Sequence, residues 1–446
     1  MAQKSKEIRN ILIESPSGVH TVFYGKKIVS GKLTDQDAIV HVVEHKIPKN
    51  EIKEEDIIPE SITIGKDIYY TDVIQIKKFK LNLCNPLDSS SISGLNSFVR
   101  PISGGIEICP LSSFYGNKND AYVHYSVGTL GGIVVDNTDG TLVGITNGHV
   151  AVDDQILVSD RDPSKKLSTI FDINNLYLNS NFYSGLAPGV IQWGSHNGLS
   201  ASTFSKRIGI TKRYQPLTTG TGSNYIVNTI DCALIALNTG VVDSTSAQQA
   251  FLTGTYAMPF ATSGEISSIV SSNIPLYAVG RTTGPKGSLC PMSGLFSNGS
   301  SWISYSTQDG SVDCLLSDCI YYTFRDLSTG ASMHGDSGSI MIGDFTGVYK
   351  IVGLNFAAGT GVSITKPDNT TVITDVGLFC RIDNIARQMN VSPWSGNTFN
   401  YSNVDPTKIS KLYRPITDNR TSITISGKTY YQVGATTGDS SLIVNA

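Results

Sequence analysis

His334-Gly335-Asp336-Ser337-Gly338-Ser339 sets a serine between two glycines, just ahead of the apolar run Ile340-Met341-Ile342. A serine hydroxyl is a weak nucleophile near its free pKa and needs an adjacent base. The backbone around a nucleophilic serine must also present N–H groups to the oxygen that becomes negative in the transition state. Gly335 offers such an N–H without side-chain interference and tolerates unusual φ. Ser337 adds its own N–H, and Gly338 leaves room for a substrate. The same six residues also read as an ordinary Gly/Asp/Ser turn leading into a strand. A base and an orienting acid elsewhere in the chain would separate the two readings.

Beyond the N-terminal region the histidines are few. His124 and His196 sit in tyrosine- or glycine-flanked segments without distinguishing context. His149 closes the run Leu142-Val143-Gly144-Ile145-Thr146-Asn147-Gly148-His149-Val150, an apolar strand ending in a small-residue turn. That geometry lifts an imidazole from a barrel edge into a cleft. Asp231 opens Asp231-Cys232-Ala233-Leu234-Ile235 and fits the acid at the edge of another strand.

With 446 residues the chain is long enough for two or three domains, each able to bury a core. A net charge of -3 and no basic stripe with interleaved aromatics argue against a nucleic-acid partner. The polar opening MAQKSKEIRN precedes no apolar h-region, so no secretory signal is expected and a cytoplasmic location is. No run approaches the ~18 consecutive apolar residues of a membrane span. The seven cysteines are scattered without zinc-ligand spacing and read as buried free thiols from a reducing compartment. No metal or cofactor is called for.

Of the 71 charged residues, 25 lie in the first 80 positions, a density that marks residues 1–82 as a separate N-terminal α+β module. Within it Ser5 to Glu14 reads as a helix, and Thr21 to Tyr24, Ala38 to Val43 and Tyr69 to Ile76 as strands. Glu51 to Asp56 reads as a helical turn or solvated loop. Residues 83–104 have the Ser/Gly-rich composition of a linker. From 105 to 392 short apolar runs alternate with Gly, Asn, Asp, Ser and Thr, which argues a mainly β domain, barrel or sandwich. Asp383 to Met389 is the one convincing helix there. Residues 393–446 form a polar extension with strand-like pieces at Ser422 to Ser426 and Thr429 to Val433.

Taken in order, Thr146-Asn147-Gly148-His149-Val150, Asp231-Cys232-Ala233-Leu234-Ile235 and Gly335-Asp336-Ser337-Gly338-Ser339 resemble the trypsin-like, chymotrypsin-fold serine peptidases. His, Asp, Ser is the order that fold uses. Arg100 to Gly105, Gly128 to Gly131, Val279 to Gly284 and Val352 to Gly359 extend the resemblance toward a bacterial and phage branch. It covers roughly residues 100 to 392 and implies two antiparallel six-stranded β-barrels, about 105–245 and 250–380, with a closing helix at 381–390. His149, Asp231 and Ser337 would then form a catalytic triad, His149 Nε2 within hydrogen-bond reach of Ser337 Oγ, and Gly335 and Ser337 would supply the oxyanion-hole N–H groups.

Departures from the family carry information. Val150 stands where a cysteine commonly follows the catalytic histidine. His149 and Asp231 are 82 positions apart, with 155–187 the expected insertion. Ala331 occupies the position that matches the pocket aspartate of basic-specific enzymes, which argues against Lys or Arg specificity. Ala331, Ala357 and Ala358 suggest a modest apolar pocket, with His334 at its rim and Asn355 and Phe356 beside it. Arg100 to Gly105 resembles a zymogen activation site, in which a new terminus pairs with the aspartate before the nucleophile, here Asp336. A plain linker into the barrel is preferred, because an Arg-Pro bond is a poor cleavage site. Arg281 to Gly284 reads as a turn with a surface arginine.

The expected activity is hydrolysis of peptide bonds in a peptide or protein substrate. The competing expectation is a structural or interaction protein that keeps the fold, virion-associated and assembling through residues 1–82 and 393–446. An esterase using the same triad needs a different binding groove.

Overall fold

The computed structural model of the protein describes residues 2–29, 32–81, 100–110, 127–151, 158–159, 189–191, 207–215, 217–218, 228–243, 258–291, 297–307, 310–324, 330–365, 371–394, 422–425 and 428–431. The linker expected at 83–104 falls mostly outside them, and the insertion expected at 155–187 almost wholly so.

The N-terminal region opens with helix α1 (Ala2–Glu14), followed by strands β1 (Val19–Val29) and β2 (Lys32–Val43). Two short 3-10 turns at 49–51 and 54–56 fill the acidic stretch that reads as a turn. Strands β3 (Ser61–Ile64), β4 (Asp67–Gln75) and β5 (Lys80–Leu81) complete it. Ile8 and Leu12, four apart and so on one helical face, bury against Val22, Ile39 and Leu315. That last partner lies far along the chain.

The region of the first barrel contains β6 (Glu107–Pro110), β7 (Gly128–Thr129), β8 (Gly132–Asp136), β9 (Thr141–Thr146), β10 (Val158–Ser159), β11 (Gly189–Ile191), β12 (Arg207–Tyr214), β13 (Leu217–Thr218) and β14 (Ala233–Leu237). β10 and β13 form a separate parallel pair. The others lie in the order β8-β9-β14-β12-β11-β6-β7, every pairing antiparallel. Because β7 and β8 are one stretch of chain, 128–136, the row returns on itself as a six-stranded barrel. Its interior holds Ile108, Leu130, Ile133, Leu142, Ile208 and Leu237. Closure removes the exposed edges that an open sheet would present.

The second barrel comprises β15 (Leu276–Gly280), β16 (Gly284–Pro291), β17 (Ser297–Thr307), β18 (Gly310–Phe324), β19 (Ile340–Phe345), β20 (Val348–Thr365) and β21 (Thr371–Arg381). The row β19-β15-β16-β18-β21-β20 closes through a further β19–β20 pairing, again with six antiparallel strands. Two closed six-stranded antiparallel rows are thus present, as the sequence resemblance led one to expect. β17 and β18 form a long hairpin, β17 lying outside the six-strand row, and β1 pairs antiparallel with β17, Thr21 opposite Ser301. The N-terminal sheet is therefore hydrogen-bonded into the second barrel's hairpin.

Two helices flank this barrel. α3 (Ser263–Ser271) was not legible in its Ser-rich sequence, yet Thr262 and Glu265 form a reciprocal capping box and Ile266 and Ile269 are buried. It follows α2 (Gly148–Ala151), a single turn in the first barrel. α4 (Ile382–Gln388) is the expected closing helix. After it, β22 (Val391–Pro393) returns to β8 of the first barrel, tying the two together. The C-terminal extension contributes one described hairpin, β23 (Ser422–Ile425) with β24 (Lys428–Tyr431). No helix among the described residues is long and apolar enough to cross a membrane.

Candidate active site

β9 delivers Thr146 and Asn147 to the rim of the first barrel, and α2 turns His149 inward there. Its neighbour β14 pairs Ala233 with Thr146, which brings Asp231, two residues before β14, alongside. His149 Nδ1 lies 2.5 Å from Asp231 Oδ2, and the His149 backbone N–H donates to Oδ1 at 3.3 Å. An ionised carboxylate only accepts, so Nδ1 carries the proton and Nε2 is the basic nitrogen. Both residues are fully buried. Asn147 Nδ2 donates to the Asp231 carbonyl at 2.7 Å and fixes the aspartate's backbone.

A fourth side chain joins this pair. The Tyr305 hydroxyl, from β17, donates to Asp231 Oδ2 at 3.1 Å, and its ring meets the His149 ring edge-on at 6.3 Å. Burial, together with the neighbouring Asp231 charge, pushes the phenol far above its ordinary range, so it stays a donor. Nothing in the Ser-rich segment Trp302-Ile303-Ser304-Tyr305-Ser306 marked it beforehand.

Ser337 sits on the loop before β19, pressed against the first barrel. Thr129 N–H donates to the Ser337 carbonyl at 2.7 Å, and Thr129 Oγ1 to the Gly335 carbonyl at 2.8 Å. Gly338, at φ +91, packs so closely that a Cβ there would lie 2.1 Å from the Thr129 carbonyl oxygen. The Ser337 hydroxyl donates to the Phe356 carbonyl at 3.1 Å. It makes no bond to His149, whose buried Nε2 has no hydrogen-bond partner among the described residues. The structure thus forms the His149–Asp231 pair and leaves the His149–Ser337 bond unmade.

The loop's amides have a definite direction. Thr282 Oγ1 donates to the His334 carbonyl at 2.6 Å, so the Gly335 N–H on the same planar peptide faces the opposite way. Ser339 N–H and Asn355 Nδ2 occupy the Asp336 carbonyl, which likewise turns the Ser337 N–H away from them. Neither the Gly335 nor the Ser337 N–H has an acceptor among the described residues. Buried N–H groups in that condition are rare and ask for an explanation.

Asp336 is held by its own barrel. Its carboxylate accepts from Thr282 N (3.2 Å), Thr283 N (3.1 Å) and Met333 N (3.0 Å). Ile102 lies elsewhere, its N–H donating to the Val241 carbonyl at 2.9 Å. Arg281, expected at the surface, is instead buried. Its Nε donates to Glu107 Oε2 at 2.5 Å, and its backbone N–H donates to Thr129 Oγ1 at 3.0 Å. The buried Arg–Glu pair and both threonines therefore brace the 334–336 backbone from beneath. A guanidinium loses its hydration on burial unless a carboxylate replaces it, and Glu107, 174 positions upstream, is not a partner that sequence spacing suggests.

The residues expected to bind substrate divide. His334 is exposed, at the outer lip of the loop. Ala331, Phe356, Ala357 and Ala358 are buried. Asn355 is turned inward, its Nδ2 donating to Ser332 Oγ at 3.0 Å and its Oδ1 accepting from the Tyr322 hydroxyl at 2.8 Å. Five cysteines, Cys109, Cys232, Cys314, Cys319 and Cys380, are free and buried. Cys380 Sγ accepts the Asp231 N–H at 3.4 Å.

No protein-family model matches the chain, and no curated protein matches its sequence. Among solved structures it is similar to a glutamic acid specific serine protease that utilizes a novel histidine triad in substrate binding. The identity there is 13% and the TM-score 0.33, over 66% of this chain and all of that one. It is also similar to Nocardiopsis protease (NAPase), at 13% identity and a TM-score of 0.28, over 66% of this chain and 99% of that one.

Proposed function

We propose that the protein is a serine endopeptidase in which Ser337 is the nucleophile, His149 the general base and Asp231 its orienting acid. The observation that carries this reading is the buried His149–Asp231 pair, with Nε2 unpartnered, at the seam where Ser337 is pinned to the first barrel. In the reactive state the Ser337 hydroxyl leaves the Phe356 carbonyl for Nε2. Its oxygen attacks the scissile carbonyl carbon while its proton passes to Nε2. The C–N bond then breaks, the departing amine takes that proton, and water hydrolyses the resulting ester by the same route. The unengaged N–H groups of Gly335 and Ser337 would receive the developing oxyanion. Ala331, small and buried, suits an apolar residue before the cut rather than Lys or Arg.

A structural or interaction protein on the same scaffold draws on one observation, the Ser337 hydroxyl engaged by Phe356 rather than His149. Fluorophosphonate labelling, with the modified residue located by mass spectrometry, decides between them. Label is expected on Ser337 of the wild type and on neither Ser337→Ala nor, at comparable rate, His149→Ala. A wild type that takes no label, or a Ser337→Ala chain that labels equally, refutes the peptidase reading.

A further inference from the structure

β20 passes the serine loop and then runs on. Its Asn355 bonds with the loop just before β19, the Asn355 N–H donating to the Ser339 carbonyl and the Asn355 carbonyl accepting from Gly338 N–H. β21 covers the opposite edge, with Leu378 opposite Ala357 and Gly377 opposite Ala358. Beyond β19 the first edge is therefore open to another strand at Ala357–Ala358, next to the carbonyl that holds the Ser337 hydroxyl. An extended peptide would add there by main-chain hydrogen bonds.

That edge is already occupied by this chain. β5 pairs antiparallel with β20, Lys80 opposite Ala358 and Leu81 opposite Ala357, and parallel with β17, Lys80 opposite Ser304. Its sense is the productive one, because a strand passing Ala358 and then Ala357 heads for Phe356 and Ser337. Each residue advances the strand by about 3.3 Å.

The approach to β5 is latched at several points. Ile76 N–H donates to the Val43 carbonyl, and His20 Nε2 bonds the Ile76 carbonyl at 2.8 Å. Lys78 pairs with Asp313 at 2.6 Å. Phe79 is fully buried, with the Tyr321 ring 5.6 Å away and the His20 ring edge-on at 6.0 Å. It lies over Gly359 of β20, where a Cβ would come within 2.8 Å of its ring.

We propose that residues 76–81 are a self-inhibitory strap, lying in the place and direction of an extended peptide substrate and held there by the N-terminal sheet. The inference rests on the peptidase reading of Ser337, and it extends that reading to the substrate. A substrate is taken as an extended peptide antiparallel to Ala357–Ala358, and it binds only when the strap withdraws.

The test is Lys80→Pro/Leu81→Pro in the full-length chain, which removes both strap amide donors and leaves Ser337, His149 and Asp231 untouched. Hydrogen exchange of the segment 355–359 and the rate of fluorophosphonate labelling at Ser337 are both expected to rise, on the order of tenfold. Unchanged exchange overturns the strap while leaving the serine reading intact, and so does raised exchange with an equal labelling rate in both chains. Raised exchange with no label in either chain refutes the serine reading, and the inhibitory role falls with it. Should circular dichroism show the proline pair unfolded, Lys80→Gly/Leu81→Gly keeps the amides and is read by the same two measurements, with an expected rise of about threefold.

Discussion

Asp336→Asn isolates the bracing of the serine loop. The wild-type carboxylate, 3% exposed, accepts three backbone N–H groups, two on Oδ1 and one on Oδ2. An amide keeps one oxygen, so it can retain the Thr282 and Thr283 bonds as neutral ones. Its NH2 then faces the Met333 N–H, donor against donor. Hydrogen bonds to a charged acceptor contribute about 1.5–3 kcal/mol each and neutral ones about half that. Losing one and weakening two amounts to at least about 3 kcal/mol, about 6 °C or more in melting temperature for a domain of this size. The loop amides of Gly335 and Ser337 lose their fixed direction at the same time. Fluorophosphonate labelling should slow by about 10²-fold, the scale of losing one oxyanion donor. Thermal melting by circular dichroism and labelling kinetics read the two effects separately. If Asp336→Asn melts within about 1 °C of wild type and labels at the wild-type rate, the carboxylate does not brace the loop.

Three further outcomes follow from named contacts. Gly338→Ala places a Cβ against the Thr129 carbonyl and Thr146 Oγ1 at positive φ. It should cost about 3 kcal/mol or more in denaturant unfolding, and a loss below about 1 kcal/mol would mean the seam is loose. Tyr305→Phe removes one donor from the buried Asp231 carboxylate. It should lower stability by about 1.5–3 kcal/mol and slow labelling at Ser337, and no change in either would exclude Tyr305 as a positioning residue. Burial pushes His41 down from 6.5 to about 4, against opposing bonds to the backbone of Ile39 and Asp72. Between those values the unfolded chain binds a proton that the native chain refuses, so this stability is complete above 6.5 and lost as pH falls toward 4. The loss reaches about 3 kcal/mol, and His41→Leu should flatten that part of a pH-stability profile. An unchanged slope would show that the imidazole titrates normally.

The strands were readable where side-chain pattern and local chemistry agree. The all-apolar Ala233–Leu237 has one conformation that buries every residue, and it is buried throughout. The helix near 383 and the N-terminal helix and strands were legible for similar reasons. α3 leaves no pattern in the sequence because serine is a poor helix former, and it is held by its capping box and by Glu265 accepting from Lys350 at 2.5 Å. Arg281 reads as exposed because a turn normally is, and only the fold supplies Glu107 to neutralise it.

Reading along the chain was enough for a mainly β domain, for pairing His149 with Asp231, and for glycines where the serine loop needs positive φ, Gly335 at +95 and Gly338 at +91. Those are properties of residues and their immediate neighbours. The addition of Tyr305 to Asp231, the Arg281–Glu107 brace and the seating of Lys80–Leu81 on Ala357–Ala358 belong to the tertiary structure alone. Each joins groups 74 to 278 positions apart, and main-chain pairing depends on register and edge rather than on side-chain identity.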